Sequence, residues 1–278
     1  MLCVNPRKLP NPAKTGVQDA YIQVSCGKCY ACLSNRRQSW LFRLQNESMN
    51  SVASFFCSLT IDDDHIRDHE VHKEDLQKLF KKLRHKEDFT YYAIGEYGTT
   101  TFRPHYHVCF FFKSFPSDYT VDDFHQLLLS MYDLGMISVS RVTYRRLNYI
   151  LHYHTRPKEP IKGKFTFQLF SKRLGLDFLT DDVIHYLEST HNTVINDYNG
   201  RKYVIPRYYR KKLIEQGYNL DPPSPRVYSS DNWLKRYNKV FDKPAYLIPE
   251  NTKLNYMQFV QNKDKQKIIK FNNQDKFL

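Results

Sequence analysis

Glycine is scarce, nine residues in 278, and follows no repeat, which excludes a collagen-like fibre and a glycine-rich linker. No run of about 18 apolar residues occurs, so no membrane-spanning helix is expected. The first fifteen residues carry Pro6, Pro10 and Pro12 and lack the apolar stretch of a signal peptide, so a cytoplasmic chain is expected. Acidic residues are also in deficit: 29 Asp+Glu face 42 Lys+Arg, a net charge of +13. Against these shortages stand 21 Tyr and 19 Phe, ample for a buried core and far above what a disordered chain carries. A positive surplus with many aromatic faces suits a phosphate polyanion whose unpaired bases can stack.

Cysteine is used unevenly. Cys3, Cys26, Cys29 and Cys32 crowd the start, whereas Cys57 and Cys109 lie within apolar runs and read as small buried hydrophobes. A cytoplasmic chain does not rely on structural disulfides. The first four therefore leave three readings open: a structural zinc site, an iron–sulfur site, or reduced thiols near a helix start.

Periodicity orders the rest. Tyr30 to Met49 reads as a helix and Ser54 to Ile61 as a strand with Phe55, Cys57, Leu59 and Ile61 on one face. Lys73 to Lys86 is a helix, with Leu76, Leu79, Phe80 and Leu83 at i, i+3, i+4 and i+7. Phe89 to Tyr97 and His105 to Lys113 are strands joined as an antiparallel hairpin by a short polar loop. A helix over 122–133, a strand over 136–142 and a helix over 144–154 follow, the last ending before Pro157. Beyond Pro160 the signals weaken to a strand over 164–170 and helices over 181–192 and 206–216. The three prolines of 221–225 mark a linker, and the Lys-, Gln- and Asn-rich tail from Leu254 reads as disordered. The expected fold is α+β, an antiparallel sheet with helices on one face, and the segment before Gly27 is expected to be irregular. Three parts follow: a cysteine-rich arm over 1–33, a central domain over 34–160 and a basic, mainly helical extension over 161–278.

The chemistry gathers on the hairpin. His105 and His107 alternate with Tyr106 on a strand and so share a face, and Glu96 lies nine residues earlier on the partner strand. Two imidazoles and a carboxylate suit Mg²⁺ or Mn²⁺ better than a closed zinc site. Tyr149 and Tyr153, four residues apart, stack on one helix face beside Arg145, Arg146, Arg156 and Lys158, candidate phosphate contacts. A phenol with a pKa near 10 is a poor nucleophile at neutral pH. A neighbouring ion and cations favour its phenolate and offset the charge of a phosphate, so that tyrosine can attack phosphorus and be left esterified to DNA.

Four segments resemble the HUH-type rolling-circle replication initiators, and within them the gokushovirus branch of the microviruses. They are Cys26-Gly27-Lys28-Cys29-Tyr30-Ala31-Cys32, Phe55 to Asp63, Gly95-Glu96-Tyr97-Gly98 with Arg103-Pro104-His105-Tyr106-His107, and the Tyr149/Tyr153 pair. The resemblance spans residues 26 to 153. It implies an HUH/Rep-type nuclease fold and a metal-dependent enzyme that nicks and joins DNA in a bacterial host's cytoplasm. It implies His105 and His107 as metal ligands with Glu96 the third, Tyr149 and Tyr153 as nucleophiles, and single-stranded and origin DNA as partners. The chain departs from the family in carrying His152 and His154 around the second tyrosine, and His152 reads as a surface histidine. The basic run Tyr208-Tyr209-Arg210-Lys211-Lys212 leaves DNA and a host helicase or polymerase both open as its partner. Two competing readings remain: a non-catalytic single-strand binding or packaging protein, which would be indifferent to metal, and a redox enzyme built on the cysteine run.

Overall fold

The computed structural model describes residues 3, 6–10, 21–98, 100–114, 119–155, 162–190, 193–196, 200 and 202–218. In chain order the elements are β1 (Arg7–Pro10), β2 (Tyr21–Val24), α1 (Tyr30–Met49), β3 (Ala53–Thr60), α2 (Lys73–Arg84), β4 (Phe89–Tyr97) and β5 (Pro104–Phe112). Next come α3 (Val121–Leu129), β6 (Ile137–Arg141), α4 (Tyr144–Ile150), a 3₁₀ turn (Leu151–His154), β7 (Phe167–Phe170) and α5 (Asp181–Thr190). The described chain closes with β8 (Val194–Asn196), β9 (Lys202–Val204) and α6 (Arg207–Glu215). Two compact units share these elements, one formed by Ser39–His185 and the other by Met1–Gln38 with Tyr186–Leu278.

The unit of residues 39–185 is a five-stranded antiparallel sheet of order β6-β3-β5-β4-β7. Strand β5 is central and buried on both faces, which is why its sequence is an almost unbroken apolar run after the histidines. On one face Tyr106, Val108, Phe110 and Phe112 pack with Phe55 and Leu59 of β3, with Leu76, Leu79, Phe80 and Leu83 of α2, and with Phe124 and Leu128 of α3. On the other, Cys109 and Phe111 pack with Trp40, Leu41 and Leu44 of α1, and with Leu147, Ile150 and Leu151 of α4 and its continuation. Helices thus cover both faces, not the one expected. The apolar stripe of α1 is interrupted by Arg37, Arg43 and Gln45, all of them buried, and that obscures its core-facing character.

Local chemistry explains the helix limits. Acidic Glu74 and Asp75 open α2, and Lys81, Lys82 and Arg84 close it, each complementing the helix dipole. Thr120 and Asp123 form a capping box on α3, and Thr143 caps α4 by accepting from the Arg146 amide at 3.3 Å. The helix expected over 144–154 is α-helical only to Ile150 and finishes as a 3₁₀ turn. Gly95 on β4 is a close-approach position: a Cβ there would lie 2.5 Å from the Phe167 ring, which crosses it from β7.

In the other unit, β1 and β2 form an antiparallel pair in which Arg7 faces Val24, where irregular chain was expected. Helix α6 and the short β8–β9 pair also belong to it. The linker of residues 221–225 and the tail from Leu254 lie outside the described residues.

Candidate metal and nucleophile site

Strand register assembles the first site. Glu96 of β4 pairs with His105 of β5, Ile94 with His107, and His107 in turn with Ser58 of β3. Residues directly opposite one another share a face, so Glu96, His105, His107 and Ser58 all point to the side covered by α1 and α4. Glu96 and His107 are 5% and 6% exposed, and His105 is half-buried. Glu96 Oε1 stands 3.4 Å from His107 Nε2 and 3.5 Å from His105 Nε2.

The outer nitrogens fix how the imidazoles are presented. His105 Nδ1 donates to the Arg103 carbonyl at 3.1 Å, which leaves a neutral ring with a bare Nε2 facing the carboxylate. His107 Nδ1 lies 2.9 Å from Ser58 Oγ, and Phe56 stacks on its ring at 5.5 Å. Arg103 is itself anchored, its guanidinium donating to the Ile61 carbonyl at 2.9 and 2.7 Å and pairing with Asp63 at 2.8 Å. Lone pairs of two imidazoles therefore converge on a buried carboxylate, an arrangement that repels itself unless a proton or a cation lies among them. The three ligand atoms fall within 4.8 Å of one another. Two ligands about 2.1 Å from one ion stand roughly 3.0–3.4 Å apart, close to the separations here, so this donor set fits a divalent cation.

Tyr149 completes the group. Its hydroxyl is 3.3 Å from His107 Nε2 and its ring meets the imidazole edge-on at 5.1 Å. Tyr153 takes a different position. Four residues of α-helix return to within about 40° of their starting direction, whereas four residues of 3₁₀ helix overshoot by about 120°. The change of pitch at Leu151 thus breaks the shared face expected of the two tyrosines. The Tyr153 phenol is held above the ordinary tyrosine value by burial, partly offset by a hydrogen bond with the Thr166 side chain.

His152 is buried, at 3% exposed, so its reading as a surface histidine is corrected. His154 is equally buried, with Nε2 at 3.2 Å from the Tyr92 hydroxyl and its ring stacked on Trp40 at 6.1 Å. Both serve the apolar layer beneath α4. Arg145 is exposed one helical turn before Tyr149, and Arg146 is half-buried and donates to the Arg141 carbonyl at 3.4 Å. Arg156 and Lys158 lie outside the described residues. Sequence reasoning missed Ser58 and Arg103. The even-numbered face of β3, which carries Ser58 opposite His107, was the available signal for the first, and the Arg-Pro-His run for the second.

The second cluster lies in the other unit. Cys3, Cys26, Cys29 and Cys32 bring their sulfurs within 4.8 Å of one another. Amide donation from Cys29 and Lys28 draws the Cys26 thiol down to about 6, whereas burial pushes Cys32 up to about 12. Cys57 and Cys109 are fully buried in the sheet, where desolvation raises both thiols.

Together these features define an α+β protein with a carboxylate–imidazole donor set on an antiparallel hairpin and a tyrosine aimed into it. Residues 54–158, from the start of β3 past the 3₁₀ turn, match the family model of the "Replication-associated protein ORF2" type. The chain is similar to "Replication-associated protein ORF2" of Spiroplasma virus 4, 26% identical over 218 residues covering 68% of this chain and 67% of that protein. It is similar to "Replication-associated protein VP4" of Bdellovibrio phage phiMH2K, at 27% over 236 residues, 76% of this chain and 67% of the relative. "Replication-associated protein ORF4" of Chlamydia phage 1 is 23% identical over 239 residues, covering 73% and 59% of the two chains. No solved structure matches. The matched family segment holds Ser58, Glu96, His105, His107, Tyr149 and Tyr153, and excludes the four N-terminal cysteines.

Proposed function

We propose that this chain nicks and rejoins DNA in phage rolling-circle replication, with Tyr149 as the first nucleophile beside a divalent ion held by Glu96, His105 and His107. The observation that carries the reading is the Tyr149 hydroxyl at 3.3 Å from His107 Nε2, the nitrogen that also stands 3.4 Å from Glu96. The replication role printed for the relatives and the net charge of +13 support DNA as the substrate. When bound, Mg²⁺ or Mn²⁺ would act as a Lewis acid on a non-bridging phosphate oxygen.

The chain's own groups do the rest. Ser58 and the Arg103 carbonyl orient the two imidazoles, and Arg145, one turn before Tyr149, offers a cation to the phosphate. Tyr149 Oη forms a bond to phosphorus as the bond to the 3′ oxygen breaks. The phenol loses a proton and the departing 3′-hydroxyl gains one, so the step consumes neither water nor a high-energy cofactor. The 5′-phosphotyrosyl ester stores the energy of the broken linkage, and attack by a 3′-hydroxyl reverses the step and seals the strand. Tyr153, buried and with its phenol held protonated, is the later nucleophile and needs a rearrangement of the 3₁₀ turn to act.

The test is denaturing electrophoresis with 5′- and 3′-labelled single-stranded oligonucleotides that tile the phage origin, in Mn²⁺ or in EDTA. The 3′-labelled fragment is expected to migrate with the protein in Mn²⁺ only. That band should vanish in His105→Ala and Tyr149→Phe and persist in Tyr153→Phe. Binding without an adduct on every oligonucleotide would refute the reading and leave a single-strand binding protein.

A further inference from the structure

The four N-terminal cysteines form a site that the proposed nuclease chemistry does not use. Cys29 Sγ lies 3.5 Å from Cys32 Sγ and 3.9 Å from Cys3 Sγ, and Cys26 Sγ lies 3.9 Å from Cys32 Sγ. A disulfide holds its sulfurs at about 2.05 Å, so none of these pairs is bonded. Four thiolates around one Zn²⁺, each about 2.3 Å from the ion, stand about 3.8 Å apart at the corners of a tetrahedron. The observed separations bracket that value. A four-iron cluster holds its cysteine sulfurs on the outside of a cube, farther apart than the 4.8 Å spread here.

The backbone is arranged for the same purpose. The amides of Lys28 and Cys29 point at Cys26 Sγ, at 3.5 and 3.3 Å, and the Cys26 amide points at Cys3 Sγ at 3.3 Å. N–H groups directed at sulfur stabilise thiolate, the form that binds metal. Gly27 adopts φ +74°, the left-handed conformation that folds this knuckle back on itself.

The placement along the chain gives the ion something to do. Cys3 precedes β1 by four residues, Cys26 follows β2 by two, and Cys32 lies in the first turn of α1. An isolated pair of four-residue strands is marginal in water. We propose that Cys3, Cys26, Cys29 and Cys32 bind one zinc ion as a tetrahedral tetrathiolate site that staples the β1–β2 hairpin to the start of α1. Such a site contributes folding energy directly, so the hairpin is ordered only with its metal. This inference is independent of the nuclease reading.

The test uses the full chain purified without chelator. Elemental analysis should find one zinc per chain, lost in Cys26→Ser and retained in His105→Ala. Substitution of wild-type protein with Co²⁺ should give sulfur-to-cobalt charge-transfer bands in the near ultraviolet and intense d–d bands in the red. That spectrum stands even if Cys26→Ser fails to fold. An organomercurial should release the zinc in step with modification of four thiols. Zinc lost in His105→Ala with no thiolate charge-transfer band would overturn the proposal, because the metal would then belong to the imidazole site. So would iron in place of zinc, or metal-free protein whose four thiols react at once with a disulfide reagent.

Discussion

Removing the Ser58 hydroxyl is the sharpest probe of how the imidazole site is held. Ser58 Oγ sits 2.9 Å from Nδ1 of His107, a side chain 7% exposed, so water cannot readily replace the lost partner in Ser58→Ala. A buried donor left unsatisfied costs about 1–3 kcal/mol. Loss of the group that orients a metal-binding histidine typically lowers metal affinity by about 10–100-fold. At 1.4 kcal/mol per tenfold, that range is about 1.4–2.8 kcal/mol, so the two routes agree. Mn²⁺ affinity should therefore fall by about 10–100-fold, read from the electron paramagnetic resonance of the free aquo ion during titration. Adduct formation at saturating Mn²⁺ should stay close to wild type, because Ser58 orients a ligand and does not meet the phosphate. Ser58→Thr, which keeps a hydroxyl, should recover part of the affinity. Unchanged Mn²⁺ affinity in Ser58→Ala would refute this reasoning, as would a slow reaction at saturation with normal affinity.

Three further outcomes follow from the fold. The Tyr106 hydroxyl donates to buried Asp75 at 2.8 Å and accepts from the His72 amide at 3.1 Å, while Arg67 pairs with the same carboxylate. Tyr106→Phe should destabilise by about 1–3 kcal/mol in urea unfolding, and a change within a few tenths would show the network to be dispensable. Gly95→Ala pushes a methyl into the Phe167 ring and should cost about 1 kcal/mol or more, a penalty that a Phe167→Ala background removes; simple additivity would contradict the contact. Burial, the largest influence on each, holds the phenols of Tyr92, Tyr106 and Tyr132 above the ordinary tyrosine value. The unfolded chain releases those protons first, from about pH 10, so the folded state binds more protons and stability falls as pH rises towards the folded values. The urea midpoint should be lower at about pH 11 than at about pH 9, and an equal midpoint would show these phenols to be solvated.

The strands were the most legible part of this chain. Period-two alternation marked β3, β4 and β5, and a short polar loop identified the β4–β5 hairpin, so the face shared by Glu96, His105 and His107 could be read before any coordinates. The pairing of β3 with β5 is not local, and Ser58 stayed hidden because nothing near it in the chain points to His107. The break at Leu151 was equally hidden, since Leu151 and Ile150 suit an α-helix and the tighter turn depends on packing against the sheet. The β1–β2 pair escaped notice because its four-residue strands carry no buried alternation: β1 is exposed throughout. The cysteines signalled a cluster by spacing alone, but only the folded chain brings Cys3 to the other three.

The placement of the metal ligands and of the tyrosine has a consequence for amide hydrogen exchange. Strand β5 is hydrogen-bonded on both sides, to β3 and to β4, so the amides of His105 to Phe112 can exchange only when the sheet itself comes apart. The 3₁₀ turn that carries Tyr153 has strained, poorly aligned hydrogen bonds and opens at far lower cost. Deuterium should enter residues 151–155 well before it enters the histidine strand. The protein would thus keep its ligand frame fixed over the lifetime of the folded state while the chain just past Tyr149 is remade many times, a division that suits a reaction in which the phosphate stays put and the nucleophile changes.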